Sequence, residues 1–156
     1  MFTHPHPTIE RLPRRRDVCV IPRPVEGDPG LFLVDATWGT ITPMQLAPGV
    51  RCVGELEVIE HIASGLPLID TRLSKYLAAG TLPGARSIPH TEIARRLDEL
   101  DATTDTIVFC NGPQCQATPD AVRILLDAGH PAERLLYYRG GIHDWLTLGL
   151  PLETPS

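Results

Sequence analysis

Short apolar segments alternate with segments of helical periodicity between positions 54 and 150, and this alternation limits the chain to a few folds. Three segments have the apolar or β-branched composition of buried strands: "LPLID" (66–70), "TIVFC" (106–110) and "RLLYY" (134–138). Strands that alternate with helices along a chain form parallel sheets with helices on both faces. The sequence therefore predicts an α/β fold.

The first helix is predicted from the spacing of apolar residues. Leu56, Ile59, Ile62 and Ala63 recur at helical intervals, and Gly65 stands where a helix would end. This pattern predicts a first helix that ends near Gly65.

The other helices are predicted from residues that begin or end helices. A brief helix over Ser74–Ala79 should stop at Gly80, and Thr91 can cap a helix that carries Ile93, Leu97 and Leu100 on one side. After the loop at 111–117, Thr118 is the predicted N-cap, Pro119 fits the first helical position and Gly129 closes the helix. A short extended piece is expected within 82–89, and a glycine turn and a last helix within "RGGIHDW".

The N-terminal segment differs in composition from the rest of the chain. Six of the 16 prolines lie in its first 30 residues, so regular structure there should be limited to short extended pieces. We predict an arm over 1–38, with a strand at "LFLVDAT" (31–37), and a domain over 39–156.

Charge and hydropathy narrow the functional classes. The net charge of −5 provides no broad basic surface for nucleic acid. No apolar stretch reaches the roughly 20 residues that span a bilayer, and "MFTHPHPTIERLPRRR" lacks the apolar region of a secretory signal. Four cysteines in 156 residues do not make a disulfide framework. We expect a soluble cytoplasmic protein with no nucleic-acid or membrane partner.

Cys110 stands at the end of the most strand-like segment and before a loop that leads into a helix. In parallel sheets, ligands bind outside the carboxyl ends of the strands. Backbone N–H groups at the start of the helix would favour an anion, and the first anion available is the Cys110 thiolate. Helix N-termini lower the pKa of cysteine thiols, so Cys110 is the candidate nucleophile. The alternative is a buried structural thiol at a strand end.

The same loop could hold an oxyanion of a substrate, either a sulfonate or a phosphate. A phosphoryl transition state commonly requires a guanidinium group, and no Arg or Lys lies between Asn111 and Ala121. This disfavours a phosphatase. Transfer of sulfane sulfur requires only a thiolate and stabilising N–H donors, without a metal or organic cofactor.

Cys115 lies five positions after Cys110 and leaves two roles open. It could be a resolving thiol that attacks an oxidised or persulfidated Cys110, or a small side chain that fills the loop. Two cysteines at this spacing, with no His between them and no second Cys pair, fall short of a zinc site. Cys19 and Cys52 lie outside these motifs and are treated as structural.

Four segments together resemble the rhodanese-like family, in the family's order. They are "LIDTR" (68–72), "AAGTLPGARSIPH" (78–90), "IVFCNG" (107–112) and "YRGGIHDW" (138–145). The resemblance covers about residues 41–152. It implies a three-layer α/β fold around a five-stranded, mainly parallel sheet, with a loop that surrounds a persulfide-carrying cysteine. Cys110 matches that cysteine by its place after "IVF".

The resemblance also implies roles for residues around Cys110. The N–H donors of the loop map onto Asn111, Gly112, Gln114, Cys115, Gln116 and Ala117, and the glycine turn maps onto Gly140 and Gly141. Two features depart from the common sulfurtransferase loop: the loop is longer, with Pro113 lacking an N–H, and the arginine often found near its end is absent.

Three charged residues flank the predicted site. Asp70 and Arg72 follow a strand, and an Asp–Arg pair there is interpreted as a loop brace that could also contact substrate. Arg139 precedes Gly140 at the same edge and could hold an anionic substrate or remain a solvated charge. Trp145 is predicted to pack in the core.

Two functional hypotheses follow. In the first, the protein is a sulfurtransferase that passes sulfane sulfur from thiosulfate or a persulfide through Cys110 to a thiol, cyanide or protein acceptor. In the second, it is a non-enzymatic redox-sensing or persulfide-binding module that uses Cys110 and Cys115. A phosphatase of the related long-loop type is a third and less favoured hypothesis.

Overall fold

The structure is a computed structural model that describes residues 22–33 and 41–154. Strands Arg23–Val25 (β1) and Asp28–Leu33 (β2) form an antiparallel hairpin of their own. Gly27 turns this hairpin with φ of +80°, a conformation that glycine adopts without steric cost. The strand predicted over 31–37 overlaps β2 at its first three positions, and 34–37 lie outside the described residues.

A second sheet of five strands forms the centre of the molecule. The strands are Arg51–Cys52 (β3), Leu68–Asp70 (β4), Arg86–Ser87 (β5), Thr106–Phe109 (β6) and Leu135–Tyr138 (β7). Their order is β3-β7-β6-β4-β5, and every neighbouring pair is parallel. The predicted parallel α/β fold is confirmed. Strand β3, which contains Cys52, was not predicted because only two residues of it pair.

Three α-helices cover the sheet, at Glu55–Ala63 (α1), Ala117–Asp127 (α2) and Gly141–Thr147 (α3). Gly65 and Gly129 follow α1 and α2 with φ of +69° and +91°, as expected where helices end. The predicted helix over Ser74–Ala79 is a 3₁₀-helix. The helix predicted from Thr91 is wrong, because Ile93–Arg95 and Leu97–Glu99 form two separate 3₁₀ turns.

The helix predicted from the spacing of Leu56, Ile59, Ile62 and Ala63 is confirmed as α1. Leu56 is 83% exposed and Ile59 is exposed, whereas Val58 and His61 are buried. The His61 ring is accommodated because its Nε2 lies 2.7 Å from the Pro67 carbonyl oxygen. A histidine that is hydrogen-bonded in this way can occupy a buried position on the helix.

Alternate residues of the central strands face opposite sides of the sheet, as the two-residue period of β-structure requires. Val108, Leu135 and Tyr137 pack on the side covered by α2. Phe109, Leu136 and Tyr138 pack on the side covered by α1 and α3. Trp145 belongs to this second cluster, with its ring edge toward Tyr138, which confirms its predicted core position.

The register of the sheet aligns the ends of its central strands. Asp70 pairs with Phe109, and Phe109 pairs with Tyr138, so the residues that follow these three strands emerge at one edge. Thr71, Cys110 and Arg139 thus begin neighbouring loops. Within the described residues, no helix is both long and apolar enough to cross a lipid bilayer.

Candidate functional site

Cys110 directly follows β6, and the loop after it leads into α2. The helix begins at Ala117 with Gln116 as its N-cap, so the predicted N-cap role of Thr118 is wrong. Thr118 instead lies inside the first turn, fully buried, with its side chain toward Cys110. Pro119, which has no N–H to donate, also fits this turn because first-turn N–H groups have no partner within the helix.

The Cys110 sulfur is surrounded by hydrogen-bond donors. Burial by itself raises the pKa of the Cys110 thiol. Hydrogen bonds from the Cys115 thiol, the Thr118 hydroxyl and the N–H groups of Thr118 and Gly112 lower the pKa by more than burial raises it, so the net shift is downward. Each of these donors stabilises the anion more than the neutral thiol. Cys110 is therefore ionised at lower pH than an ordinary cysteine.

A second threonine supports Thr118. The hydroxyl oxygens of Thr71 and Thr118 lie 2.8 Å apart, and the Thr71 hydroxyl also lies 3.0 Å from the Phe109 carbonyl oxygen. Because each hydroxyl has one hydrogen, Thr118 can donate to the thiolate while Thr71 donates to Thr118 or to Phe109. Both threonines are fully buried, so this arrangement is held away from water.

The glycine turn between β7 and α3 lies directly against the Cys110 loop. The N–H groups of Ile142 and His143 donate to the carbonyls of Cys110 and Asn111 at 3.1 and 2.8 Å. Gly141 has φ of +59°, and a Cβ there would lie 2.9 Å from the Gly112 nitrogen and still closer to the Cys110 carbonyl oxygen. Only glycine fits at this position. Gly140 is the N-cap of α3 and contacts this loop through its backbone.

Asp70 and Arg72 form a buried ion pair beside the loop, with side chains 0% and 3% exposed. Arg72 donates from Nε and Nη2 to both carboxylate oxygens at 2.7–3.1 Å, and Thr81 adds a bond of 2.8 Å. Arg72 also donates to the Gly80 carbonyl, and its Nη1 lies 3.5 Å from Asn111 Oδ1. These contacts are those of the predicted loop brace.

Thr42, a buried residue that was not predicted from the sequence, contacts both Arg139 and the middle of the loop. The Thr42 N–H and hydroxyl both donate to the Pro113 carbonyl, and Arg139 Nε donates to the Thr42 carbonyl at 2.9 Å. The Tyr137 hydroxyl lies 3.0 Å from Thr42 Oγ1 and, since the Thr42 hydrogen is directed to Pro113, donates to it. Arg139 thus contacts the segment before the sheet.

Cys115 is brought back toward Cys110 by the loop itself. Its N–H donates to the Gly112 carbonyl at 3.0 Å, and its carbonyl oxygen lies 3.7 Å from the Cys110 sulfur. Cys110, Cys115 and Ala117 form one buried cluster. Of the other predicted loop residues, Gln114 is half-buried and Gln116 is exposed.

The comparisons with known proteins agree with this geometry. The rhodanese-like domain family matches residues 56–148. This chain belongs to the rhodanese-like family. Its sheet and cysteine loop are therefore those of a rhodanese-like domain, as the four sequence motifs predicted.

Two curated relatives of this rhodanese-like chain have different names. The HTH-type transcriptional regulator Rv0324 of Mycobacterium tuberculosis is 41% identical over 91 residues, which are 58% of this chain and 39% of the regulator. A sulfurtransferase of Allochromatium vinosum is 31% identical over 89 residues, which are 57% of this chain and 79% of that protein. This chain thus spans less than half the length of the regulator.

A solved structure shares the rhodanese-like fold. Thiosulfate sulfurtransferase from Pseudomonas aeruginosa superposes with a TM-score of 0.56 at 26% identity, covering 69% of this chain and 21% of that one.

The sequence did not reveal Thr42 or Thr71 as part of this rhodanese-like site. It also did not reveal that Thr118 donates a hydrogen bond to the thiolate. Thr71 stands inside the "LIDTR" motif and Thr118 follows the loop, so both were near predicted residues. Thr42 lies before the segment that matches the family, and nothing in its neighbourhood signals a contact 71 positions along the chain.

Proposed function

We propose that this rhodanese-like domain is a sulfurtransferase with Cys110 as its nucleophile. The Cys110 thiolate attacks the outer sulfur of thiosulfate, the sulfur–sulfur bond breaks, and sulfite leaves with the bonding electrons. A persulfide donor would react in the same way and release its thiolate. An acceptor thiolate or cyanide then attacks the outer sulfur of the Cys110 persulfide and regenerates the thiolate.

One observation carries this proposal: the Cys110 sulfur faces several preorganised donors at once. The N–H groups of Gly112 and Thr118 and the Thr118 hydroxyl converge on it, and the pKa of the thiol is lowered despite its burial. A persulfide is also an anion at the same place, so the donors that stabilise the thiolate would stabilise the intermediate. The names of the Allochromatium and Pseudomonas relatives support the same chemistry.

Phosphoryl transfer is less well supported. Neither arginine of the site belongs to the loop, and the hydrogen bonds of Arg72 are directed to Asp70, Gly80 and Asn111. Arg139 donates through Nε to the Thr42 carbonyl. A guanidinium that clamps a transferring phosphoryl group would have to leave such contacts. Hydrolysis of an aryl phosphate that is abolished by Cys110→Ser would favour the phosphatase instead.

The test measures sulfite and thiocyanate with thiosulfate as donor and excess cyanide as acceptor. Wild type and Cys52→Ser should produce both at equal rates, since Cys52 lies on β3 away from the loop. Cys110→Ser should produce neither. Parallel reactions with glutathione persulfide identify the donor class. Equal production by Cys110→Ser and wild type would disprove the proposal.

A second candidate is a redox-sensing module without turnover. The hydrogen bond between the two buried thiols favours it, as does 41% identity to a protein named as a transcriptional regulator. It predicts that hydrogen peroxide forms a reversible Cys110–Cys115 disulfide, while no donor yields sulfite. The thiols of a reducing cytoplasm would reduce the disulfide of such a sensor. The same thiols could accept sulfur from a sulfurtransferase.

A further inference from the structure

Among the cysteines that the structure describes, Cys115 is the one that shares a buried cluster with Cys110. Both residues are nearly inaccessible, with 1% and 2% exposure, and the Cys115 carbonyl oxygen lies 3.7 Å from the Cys110 sulfur. Cys52, the other cysteine among the described residues, lies on β3, an edge strand of the central sheet. Any sulfur added to Cys110 would therefore form beside a second thiol.

The loop backbone holds this arrangement in place. The Cys115 N–H bond to the Gly112 carbonyl closes the turn that returns the chain to Cys110. The double hydrogen bond from Thr42 to the Pro113 carbonyl fixes the outside of the same turn. A side chain that served only as filler would not need its thiol directed at the nucleophile.

Burial also limits which acceptors can reach the Cys110 persulfide. An external thiol would have to approach a sulfur atom enclosed by the loop, whereas the Cys115 side chain already lies in the same buried cluster as Cys110. An intramolecular reaction of preoriented groups has a large advantage over a bimolecular one.

We propose that Cys115 is a resolving thiol that releases the sulfur carried by Cys110 as hydrogen sulfide; this inference rests on the proposed sulfurtransferase function. The Cys115 sulfur attacks Sγ of the Cys110 persulfide and the bond to the outer sulfur breaks. The outer sulfur leaves as HS⁻ with the hydrogen of the Cys115 thiol. The transferred sulfur is reduced to sulfide, and the two cysteines are oxidised to a Cys110–Cys115 disulfide.

A dithiol reductant then reopens the loop by thiol–disulfide exchange and restores both thiols. The complete cycle converts thiosulfate and a dithiol into sulfite, sulfide and the oxidised dithiol. The thiol that displaces the sulfur is thus inside the protein, and the external substrate of the second half-reaction is a reductant.

The experiment follows single turnovers of the full chain, reduced beforehand and kept free of oxygen, cyanide and any thiol other than the glutathione that the persulfide donor releases. Thiosulfate and glutathione persulfide are added in separate reactions, and sulfite, sulfide and intact mass are measured after alkylation. The variants are Cys115→Ser, Cys115→Ala, Cys110→Ser and the control Cys52→Ser. Thermal unfolding of each variant verifies that it is folded.

Wild type and Cys52→Ser should release one equivalent of sulfide, lose about 2 Da and lose two alkylatable thiols. Both Cys115 variants should release about tenfold less sulfide and retain about 32 Da on Cys110, because no internal thiol can then displace the outer sulfur. Retention of that sulfur by wild type, with no more sulfide than Cys115→Ser, would overturn the resolving role alone. Absence of sulfite and of bound sulfur in every variant with both donors would overturn the proposed function as well.

Discussion

Thr42 donates two hydrogen bonds to the Pro113 carbonyl, from its N–H at 2.7 Å and from its hydroxyl at 3.0 Å. A residue that precedes the family-matched segment thereby holds the centre of the cysteine loop. Pro113 has no N–H and therefore cannot serve as a donor in the loop, but its carbonyl serves as the attachment point.

We expect Thr42→Val to destabilise the protein more than Tyr137→Phe. The valine removes a donor to Pro113 and leaves the buried Tyr137 hydroxyl without its acceptor, at a cost of about 1–3 kcal/mol in free energy of unfolding. Tyr137→Phe leaves the Thr42–Pro113 bond intact. In the double variant the costs should not add, since the phenylalanine removes the hydroxyl that Thr42→Val leaves unpaired. Urea unfolding of the four proteins measures this coupling, and strictly additive costs would contradict it.

Thr118→Val should shift the pH dependence of sulfite release. The lowered pKa of Cys110 means that the thiolate persists to lower pH, so kcat/KM for thiosulfate should rise with pH around that lowered pKa. Loss of the Thr118 hydroxyl removes a donor to the thiolate and should move the rising limb to higher pH, with recovery at alkaline pH. Thr118→Ser retains the hydroxyl and should keep the wild-type profile. Coincident profiles for all three proteins would show that the hydroxyl does not stabilise the thiolate.

Gly141→Ala should abolish activity and strongly destabilise the fold, whereas Gly149→Ala should do neither. Both glycines have positive φ, which costs about 1 kcal/mol for alanine. At Gly149 the added methyl group has no neighbour within 4 Å, but at Gly141 it meets the backbone of the Cys110 loop. A further loss of about 3 kcal/mol is expected there because backbone must move. Denaturant unfolding and sulfite release compare the pair, and equal losses would refute the close approach.

Arg72→Met should cost about 3–5 kcal/mol, since it leaves the Asp70 carboxylate buried without its counter-charge. Asp70→Asn/Arg72→Met should be more stable than Arg72→Met, because the charge is then removed as well. The matched control is Arg123→Met, whose partner Asp120 lies 3.5 Å away on an exposed helix surface, where loss of the pair costs less than about 1 kcal/mol. Unfolding free energies that rank the double variant below Arg72→Met would contradict this account.

The parallel sheet was predictable because its central strands are short apolar runs separated by helices, a pattern that local physical chemistry specifies. Leu68–Asp70, Thr106–Phe109 and Leu135–Tyr138 all lie within predicted strands. Such reasoning did not predict the two-residue β3, and it wrongly predicted a helix from Thr91. Pairing to β7 defines β3, and Ile93 packs into the core from a 3₁₀ turn instead of an α-helix.

Local sequence was sufficient to predict the central strands β4, β6 and β7, the place of Cys110 at the end of β6, and the glycine turn that follows β7. These features follow from local composition, from the two-residue period of strands and from the conformational freedom of glycine. Three contacts arise from the tertiary fold instead: Thr118 faces the thiolate, Cys115 turns back to Cys110, and Thr42 holds Pro113. Those contacts depend on where distant segments meet in space, and a hydrogen bond between residues 71 positions apart leaves no periodic signal in either segment.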